Sequence, residues 1–343
     1  MESTVLNVNN LKVGFWSDKE LFYAVQDVSF SLQRGKTLGI VGESGCGKSV
    51  TCLSMLKLLS ERNTKIDDES SVKIHDRELT EVSKKEMCRI RGNEIAMIFQ
   101  DSMTSLNPVM TIEKQMMEPF IIHQNMKKKQ ARQKALEMLK KVGIPSPEAK
   151  MKQYPHQLSG GQRQRIMIAM ALSCNPEILI ADEPTTALDV TTQAQILNLI
   201  KKIQKQYDTA IIMITHDLGV VSNIADKIAV MYAGKVVEYG NAEDIFEYAS
   251  HPYTWGIMQS IPPEDISNKE PLKPILGTPP DLLHPPKGCA FAARCPYAMK
   301  VCRCIDAPGF EVEGDGHKVW CWLYDERAKQ MQKTVNPITG KEV

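Results

Sequence analysis

The sequence predicts an α/β fold built on a mainly parallel sheet, and three observations predict it. Short continuous apolar runs recur along the chain, as strands covered on both faces require. Helix-like stretches separate them, and strands alternating with helices are the signature of a parallel sheet. One of the runs opens directly into a glycine-rich loop followed by a helix-compatible stretch.

Taken in order, the first forty residues read as strands. Leu11, Val13 and Phe15 alternate with polar or small residues, as do Val28, Phe30 and Leu32, which suits half-buried antiparallel strands. Arg34-Gly35-Lys36 has the composition of a turn, and Thr37-Leu38-Gly39-Ile40-Val41 is the first buried run. A helix-compatible stretch over 50–59 comes next. From about Met103 to Cys174 the chain is rich in Met, Lys and Gln and reads as a mostly helical insertion. Within it, 131–142 is an amphipathic helix closed by Gly143, and Lys127-Lys128-Lys129 is a solvated helix face. Ile178-Leu179-Ile180-Ala181, Ala210-Ile211-Ile212-Met213-Ile214 and Lys227-Ile228-Ala229-Val230-Met231 are further buried strands. Over 192–206, Ile196, Leu199, Ile200 and Ile203 recur at helical spacing. Beyond about residue 260, Pro262-Pro263, Pro271, Pro274, Pro279-Pro280 and Pro285-Pro286 mark a linker leading into a cysteine-rich tail.

The 343 residues are enough for about two domains. With 43% hydrophobic and 24% charged residues the composition is globular, which excludes disorder. A net charge of +1 argues against a dedicated nucleic-acid binder. There is no apolar run near the roughly 18 residues of a membrane helix. Met1-Glu2-Ser3-Thr4 lacks the basic-then-apolar form of a signal peptide. The expectation is a cytosolic protein that reaches a membrane through partners. Of nine cysteines, Cys46, Cys52, Cys88 and Cys174 are scattered. Cys289, Cys295, Cys302, Cys304 and Cys321 fall within 33 residues. In a reducing compartment such a cluster points to a metal site ahead of disulfides.

Gly42-Glu43-Ser44-Gly45-Cys46-Gly47-Lys48-Ser49 matches G-x-x-x-x-G-K-[ST] in full, between a buried strand and a helical stretch beginning at Val50. Glycines let consecutive backbone N–H groups surround phosphate oxygens, and the following helix presents its positive end. Lys48 is expected to reach the β- and γ-phosphates, and Ser49 to give its hydroxyl to Mg²⁺. Asp182-Glu183 ends the apolar run 178–181, at the strand end where an open α/β sheet binds ligands. Asp182 suits Mg²⁺, which prefers carboxylate and water oxygens. Glu183 could polarise a water aimed at the γ-phosphate. Alone, an Asp-Glu pair would be an ordinary exposed strand end; the phosphate loop changes that. Leu158-Ser159-Gly160-Gly161-Gln162 precedes the helical run 163–172, and Ser159 with Gln162 has capping-box form. Its two glycines expose amides at a positive helix end, a second anion site. Two such sites on one chain suggest that each nucleotide is held between two subunits.

With these motifs in hand, the chain resembles the ATP-binding subunit of ABC transporters over roughly residues 5–260. Their order matches the family: loop 42–49, Gln100, 158–162, Asp182-Glu183, Ala187-Leu188-Asp189, and His216 after a strand. The resemblance implies an ABC-type nucleotide-binding domain over 1–260, with an N-terminal antiparallel β subdomain and a helical insertion at about 101–174. A linker and small Cys-rich extension would then occupy 261–343. It further implies that Gln100 contacts Mg²⁺ and the water, that Asp189 lies at a dimer seam, and that His216 contacts the γ-phosphate. Adenine should stack on an aromatic ring; Phe15 fits the family's usual position, with Trp16 and Tyr23 as rivals and a plain core role equally open.

The segments 100–108, 251–254, 261–263, 277–280 and 288–296 look like those of dipeptide and oligopeptide permease ATPases of the D type. The implied function is ATP hydrolysis powering peptide import. The implied partners are a homologous second ATPase subunit, two membrane permease subunits and an extracytoplasmic peptide-binding protein, with no nucleic acid. The implied place is the cytoplasmic face of the membrane. Related importers carry nickel or other small solutes, and an ABC ATPase acting on DNA or ribosomes is a more distant alternative. The tail spacing C-x5-C-x6-C-x18-C fits structural zinc poorly, whereas four thiolates can hold an iron–sulfur cluster. By the resemblance Cys289, Cys295, Cys302 and Cys321 hold a [4Fe–4S] cluster, with Cys304 a substitute for Cys302 or a spare. Four merely buried thiols, or a redox-sensing role for the cluster, are the competing readings.

Overall fold

In the computed structural model, which describes residues 3–17, 20–186, 188–260, 274–314, 316–331 and 334–343, the chain forms two units. The first comprises Met1–Leu6, Ser31–Thr37 and Ile74–Ile214; the second comprises Asn7–Phe30, Leu38–Lys73 and Thr215–Val343.

The first unit is organised on parallel strands. Ile178–Asp182 pairs with Ile95–Ile98 on one side and with Ala210–Thr215 on the other. Every residue of Ile178–Asp182 and Ala210–Thr215 is buried, which explains the unbroken apolar runs. Three helices of the insertion, Ile112–Gln124, Lys128–Lys141 and Gly160–Ala171, pack on one another. Val190–Tyr207 buries Ile196, Ile200 and Ile203 along one stripe.

In the second unit, Thr37–Val41 runs parallel to Lys227–Tyr232, which pairs antiparallel with Lys235–Asn241 through a bulge at Val230/Met231. Lys318–Val319 adds to the far edge of Lys235–Asn241, and Phe310–Glu311 adds to it in turn. Near the N-terminus, where an antiparallel β layer is expected, Thr4–Ser17 pairs antiparallel with Thr64–Ile66 and neighbours Glu20–Gln33 and Ser71–Ile74. One apolar cluster joins Val41, Val230, Tyr232, Ile245, Tyr253 and Phe291, with Cys289 and Cys295 packed against it. The segment carrying those cysteines therefore shares its core with the strand that leads into the phosphate loop.

Two local readings change. The helix expected over 50–59 is Lys48–Met55; it stops because Lys57 adopts φ 48°. The helix read over 131–142 begins earlier, at Lys128. Of the proline-rich stretch, residues 261–273, with Pro262, Pro263 and Pro271, lie outside the described residues.

Candidate functional site

The second unit carries the 42–49 loop. Thr37–Val41 is buried throughout and delivers the loop to the helix Lys48–Met55, whose N-cap is Gly47 with no side-chain cap. Gly47 puts no side chain of its own over that helix start, the arrangement that accepts an anion. Gly47 sits at φ 101°, and a Cβ there would lie 2.6 Å from the Ala24 carbonyl oxygen. Only glycine fits. Lys48 is buried, and its ammonium donates to the carbonyls of Gly42 at 2.7 Å and Glu43 at 2.9 Å, with Cys46 Sγ 3.9 Å away. The lysine is thus curled over its own loop. Burial pushes the Cys46 thiol up in pKa, so this cysteine is a packing group. Ser44 and Gly45 are exposed, and Ser49 and Val50 are half-buried.

Glu43 is pinned beyond the loop. Its N–H donates to the Tyr253 hydroxyl at 2.8 Å. Its carboxylate receives both terminal nitrogens of Arg294, at 2.7 and 3.0 Å. Sequence reading quoted Tyr253 and Arg294 inside motifs but gave them no role. Their partner is 210 residues away for Tyr253 and 251 for Arg294, so no local pattern marks them. His216 is exposed just after Thr215. Phe15 is half-buried with its ring 5.9 Å from Phe22, Trp16 is 49% exposed, and the Lys12 ammonium sits 4.4 Å over Tyr23.

The first unit carries the remaining polar groups. Asp182 is buried at the end of its strand. Glu183 follows with φ 44°, a strained left-handed turn for a non-glycine residue. Its Oε2 accepts from Gln100 Nε2 and from Thr186 Oγ1, each at 2.9 Å. Gln100 and Glu183, 83 residues apart, are thus brought together; Thr186 is an addition that sequence reading missed. Ser159 caps the helix Gly160–Ala171: its hydroxyl accepts from Gln162 N at 3.3 Å, and Gln162 Oε1 accepts from Ser159 N at 3.4 Å. The capping box is as read. Asp189 caps Val190–Tyr207 by accepting from Thr192 N at 2.9 Å and Thr192 Oγ1 at 2.7 Å. Those two hydrogen bonds hold its carboxyl below the usual carboxylate range. A Cβ on Gly161 would lie 3.0 Å from Thr192 Cγ2, so the two capped helix starts abut. Ala187 lies outside the described residues.

The hydroxyl of Ser49, the carboxylate of Asp182 and the amide oxygen of Gln100 are all hard oxygen donors, the chemistry Mg²⁺ selects. Cys289, Cys295, Cys302 and Cys321 line one cavity of about 20 Å³, while Cys304 is exposed and absent from its lining. That volume holds about one water. Burial raises the Cys289 thiol, pushes Cys295 up to about 12 and lifts Cys321 well above its ordinary value. Among the described residues no three His, Cys, Asp or Glu side chains form a group able to hold a metal ion. The four thiols share a cavity, then, in which burial disfavours the thiolates of Cys289, Cys295 and Cys321.

Residues 25–186 match the family model described as ABC transporter, and residues 237–302 match the one described as oligopeptide/dipeptide transporter, C-terminal region. The chain is 54% identical to the dipeptide transport ATP-binding protein DppD of Bacillus subtilis (strain 168), covering 95% of this chain and 96% of that one. It is 51% identical to the oligopeptide transport ATP-binding protein AppD of the same organism, covering 96% and 99%. Among solved structures, it is similar to the dimeric post-hydrolysis state of the ATP-binding cassette MJ0796 bound to ADP and Pi. That likeness has a TM-score of 0.62 at 30% identity and covers 69% of this chain and 98% of that one.

Proposed function

The chain belongs to the ATP-binding subunits of ABC transporters, and from that premise we propose that it hydrolyses ATP to drive import of dipeptides or oligopeptides through membrane permease subunits. The observation that carries the cargo class is the match at 237–302 to the oligopeptide/dipeptide transporter C-terminal region. It extends the likeness to peptide-transport relatives beyond the ATPase core.

In this reading ATP lies between the 42–49 loop of one subunit and the 158–162 turn of another, a homologous second ATPase subunit. Lys48 leaves the Gly42 and Glu43 carbonyls for the β- and γ-phosphates. Ser49, Asp182 and Gln100 are the residues that would hold Mg²⁺, which neutralises phosphate charge when bound. Glu183, fixed by Gln100 and Thr186, orients the attacking water, and His216 meets the γ-phosphate. Phe15 is the ring assigned to adenine, and Asp189 sits at the subunit seam. ATP favours closure because its γ-phosphate bridges both surfaces; hydrolysis reopens the pair. The helical insertion, starting next to Gln100, passes that movement to two permease subunits at the cytoplasmic face of the membrane. An extracytoplasmic binding protein supplies peptide. Residues 1–260 serve as the ATPase domain and 261–343 as the linker and cysteine-rich extension.

Cys289, Cys295, Cys302 and Cys321 are assigned to a [4Fe–4S] cluster. Their shared cavity, which excludes Cys304, supports the ligand choice. Loading requires the four thiols to ionise and the cavity to widen. Anaerobic purification with iron and sulfide analysis tests this: colourless, iron-free protein overturns it.

The function is tested with the full complex in proteoliposomes. ATPase activity stimulated by binding protein loaded with peptide supports the reading. Stimulation by nickel instead, or by DNA or ribosomes without permease, overturns it.

A further inference from the structure

The Arg294 guanidinium is 5% exposed although it lies far in sequence from the phosphate loop. Every polar direction it has is used. Two nitrogens grip the Glu43 carboxylate, Nη1 also donates to the Tyr232 hydroxyl at 3.2 Å, and Nε donates to the Leu276 carbonyl at 3.0 Å. Its plane packs 5.8 Å from the Tyr232 ring centre and 5.9 Å from that of Phe291. A guanidinium forked onto a carboxylate fixes direction as well as distance, which a lysine could not do. On the other side, Arg294 stands next to Cys295, and both amides donate to the same Phe291 carbonyl, at 2.9 and 3.0 Å. Cys289 and Cys295 pack on the cluster that contains Phe291 and Val41.

Glu43 is where this matters. In the loop as it stands, the Gly42 and Glu43 carbonyls are held by Lys48. When phosphate takes the lysine, those bonds are lost. What remains on residue 43 is the Cys46 amide on its carbonyl at 3.3 Å, the Tyr253 hydroxyl and the Arg294 fork. A loop that keeps its shape while its lysine changes partner binds phosphate without a further ordering cost.

We propose that Arg294 is a positioning residue for the phosphate loop, acting through Glu43, and that it ties ATP affinity to the cysteine-bearing segment 289–295. The proposal rests on the reading that 42–49 binds ATP. Failure of that reading is separable, because the wild-type chain would then bind no nucleotide at all.

The test uses the full chain and equilibrium binding of Mg-ATP alongside turnover. Arg294→Ala is expected to weaken ATP binding about tenfold, within the usual range for coupled sites, raising KM while kcat at saturating ATP stays within about twofold. Arg294→Lys, which keeps the charge but loses the fork, should fall between. Should Arg294→Ala fail to fold, Arg294→Lys and Glu43→Gln still read the same pair. In the Glu43→Gln background, Arg294→Lys should cost nothing more. Cys295→Ser should weaken ATP binding in the wild-type background and not in Glu43→Gln. Unchanged KM in the Arg294 variants, or losses that simply add to that of Glu43→Gln, overturns the positioning role. A Cys295→Ser effect that persists in Glu43→Gln overturns the tie to the cysteines.

Discussion

The loop 42–49 and the turn 158–162 both offer glycine-framed amides at a helix start, yet they are built differently. In the loop, the chain supplies its own stand-ins: Lys48 is folded onto the Gly42 and Glu43 carbonyls, and Glu43 is braced from outside by Tyr253 and Arg294. In the turn, Ser159 and Gln162 bond each other, the adjacent Arg163 donates through Nη1 to the Leu158 carbonyl, and the neighbour of Gly161 is the methyl of Thr192. One surface is held by residues more than 200 positions away, the other by residues within the turn and next to it. In the proposed mechanism the first surface binds ATP on its own chain and the second meets ATP carried by another.

The largest effect expected concerns neither surface but the step after both are engaged. Glu183→Gln should cut turnover by about 10² to 10⁴, the usual contribution of a positioned acid–base group, while ATP binding stays within a few-fold. Size-exclusion chromatography with ATP should then show a persistent dimer. Undiminished turnover would remove Glu183 from the mechanism and leave the Gln100–Glu183 bond as scaffolding.

Next comes the braced loop. Lys48→Ala removes a charge-assisted contact to phosphate and should weaken ATP binding to the isolated chain by about tenfold to a hundredfold. The locally held turn should behave oppositely. Gly161→Ala drives a methyl to 3.0 Å from Thr192 Cγ2, a strain of about 1 kcal/mol. It should lower ATP-driven dimerisation about fivefold and leave ATP binding by the isolated chain unchanged. If Gly161→Ala weakens binding to the isolated chain as Lys48→Ala does, the distinction between the two surfaces collapses.

Much of this was legible beforehand, and the reason is locality. The four buried strands show as apolar runs because both faces are covered. The phosphate loop and the Ser159–Gln162 box are patterns of a few consecutive residues. Ile95–Ile98 and Lys235–Asn241 were not read: the first is only four residues long and the second alternates imperfectly, with Gly240 and Glu238 inside it. The strands Phe310–Glu311 and Lys318–Val319 have two residues each, too few for any periodicity to register. The brace on Glu43 was invisible for a different reason. An ion pair spanning 251 residues leaves no trace in local spacing, and Arg294 inside a cysteine motif reads as part of that motif.

The smallest effect expected is a pH dependence confined to the braced side. Glu238 is wholly buried and accepts from Ser250 N at 2.6 Å, His251 N at 2.9 Å and Thr254 Oγ1 at 2.5 Å. These donors open the helix Pro252–Gln259 that carries Tyr253. His317, also buried, joins Glu238 through Nε2 at 2.8 Å and the Glu313 carbonyl through Nδ1 at 2.8 Å. Burial opposes its charge, but the Glu238 carboxylate, the Glu313 carbonyl and the more distant Asp244 outweigh it, so its pKa lies above 6.5 in the folded chain. A raised pKa means that the folded state binds the proton more tightly than the unfolded chain does. The stabilisation is therefore complete below about pH 6.5 and is lost as pH rises through the folded value, with a slope of at most about 1.4 kcal/mol per pH unit. Thermal midpoints measured from pH 6 upward should fall accordingly, and His317→Gln should flatten that fall. Because Tyr253 holds the Glu43 amide, ATP affinity should weaken over the same interval in the wild type and not in His317→Gln. A midpoint that rises across that interval would reverse the sign and dissolve the link between this buried pair and the loop.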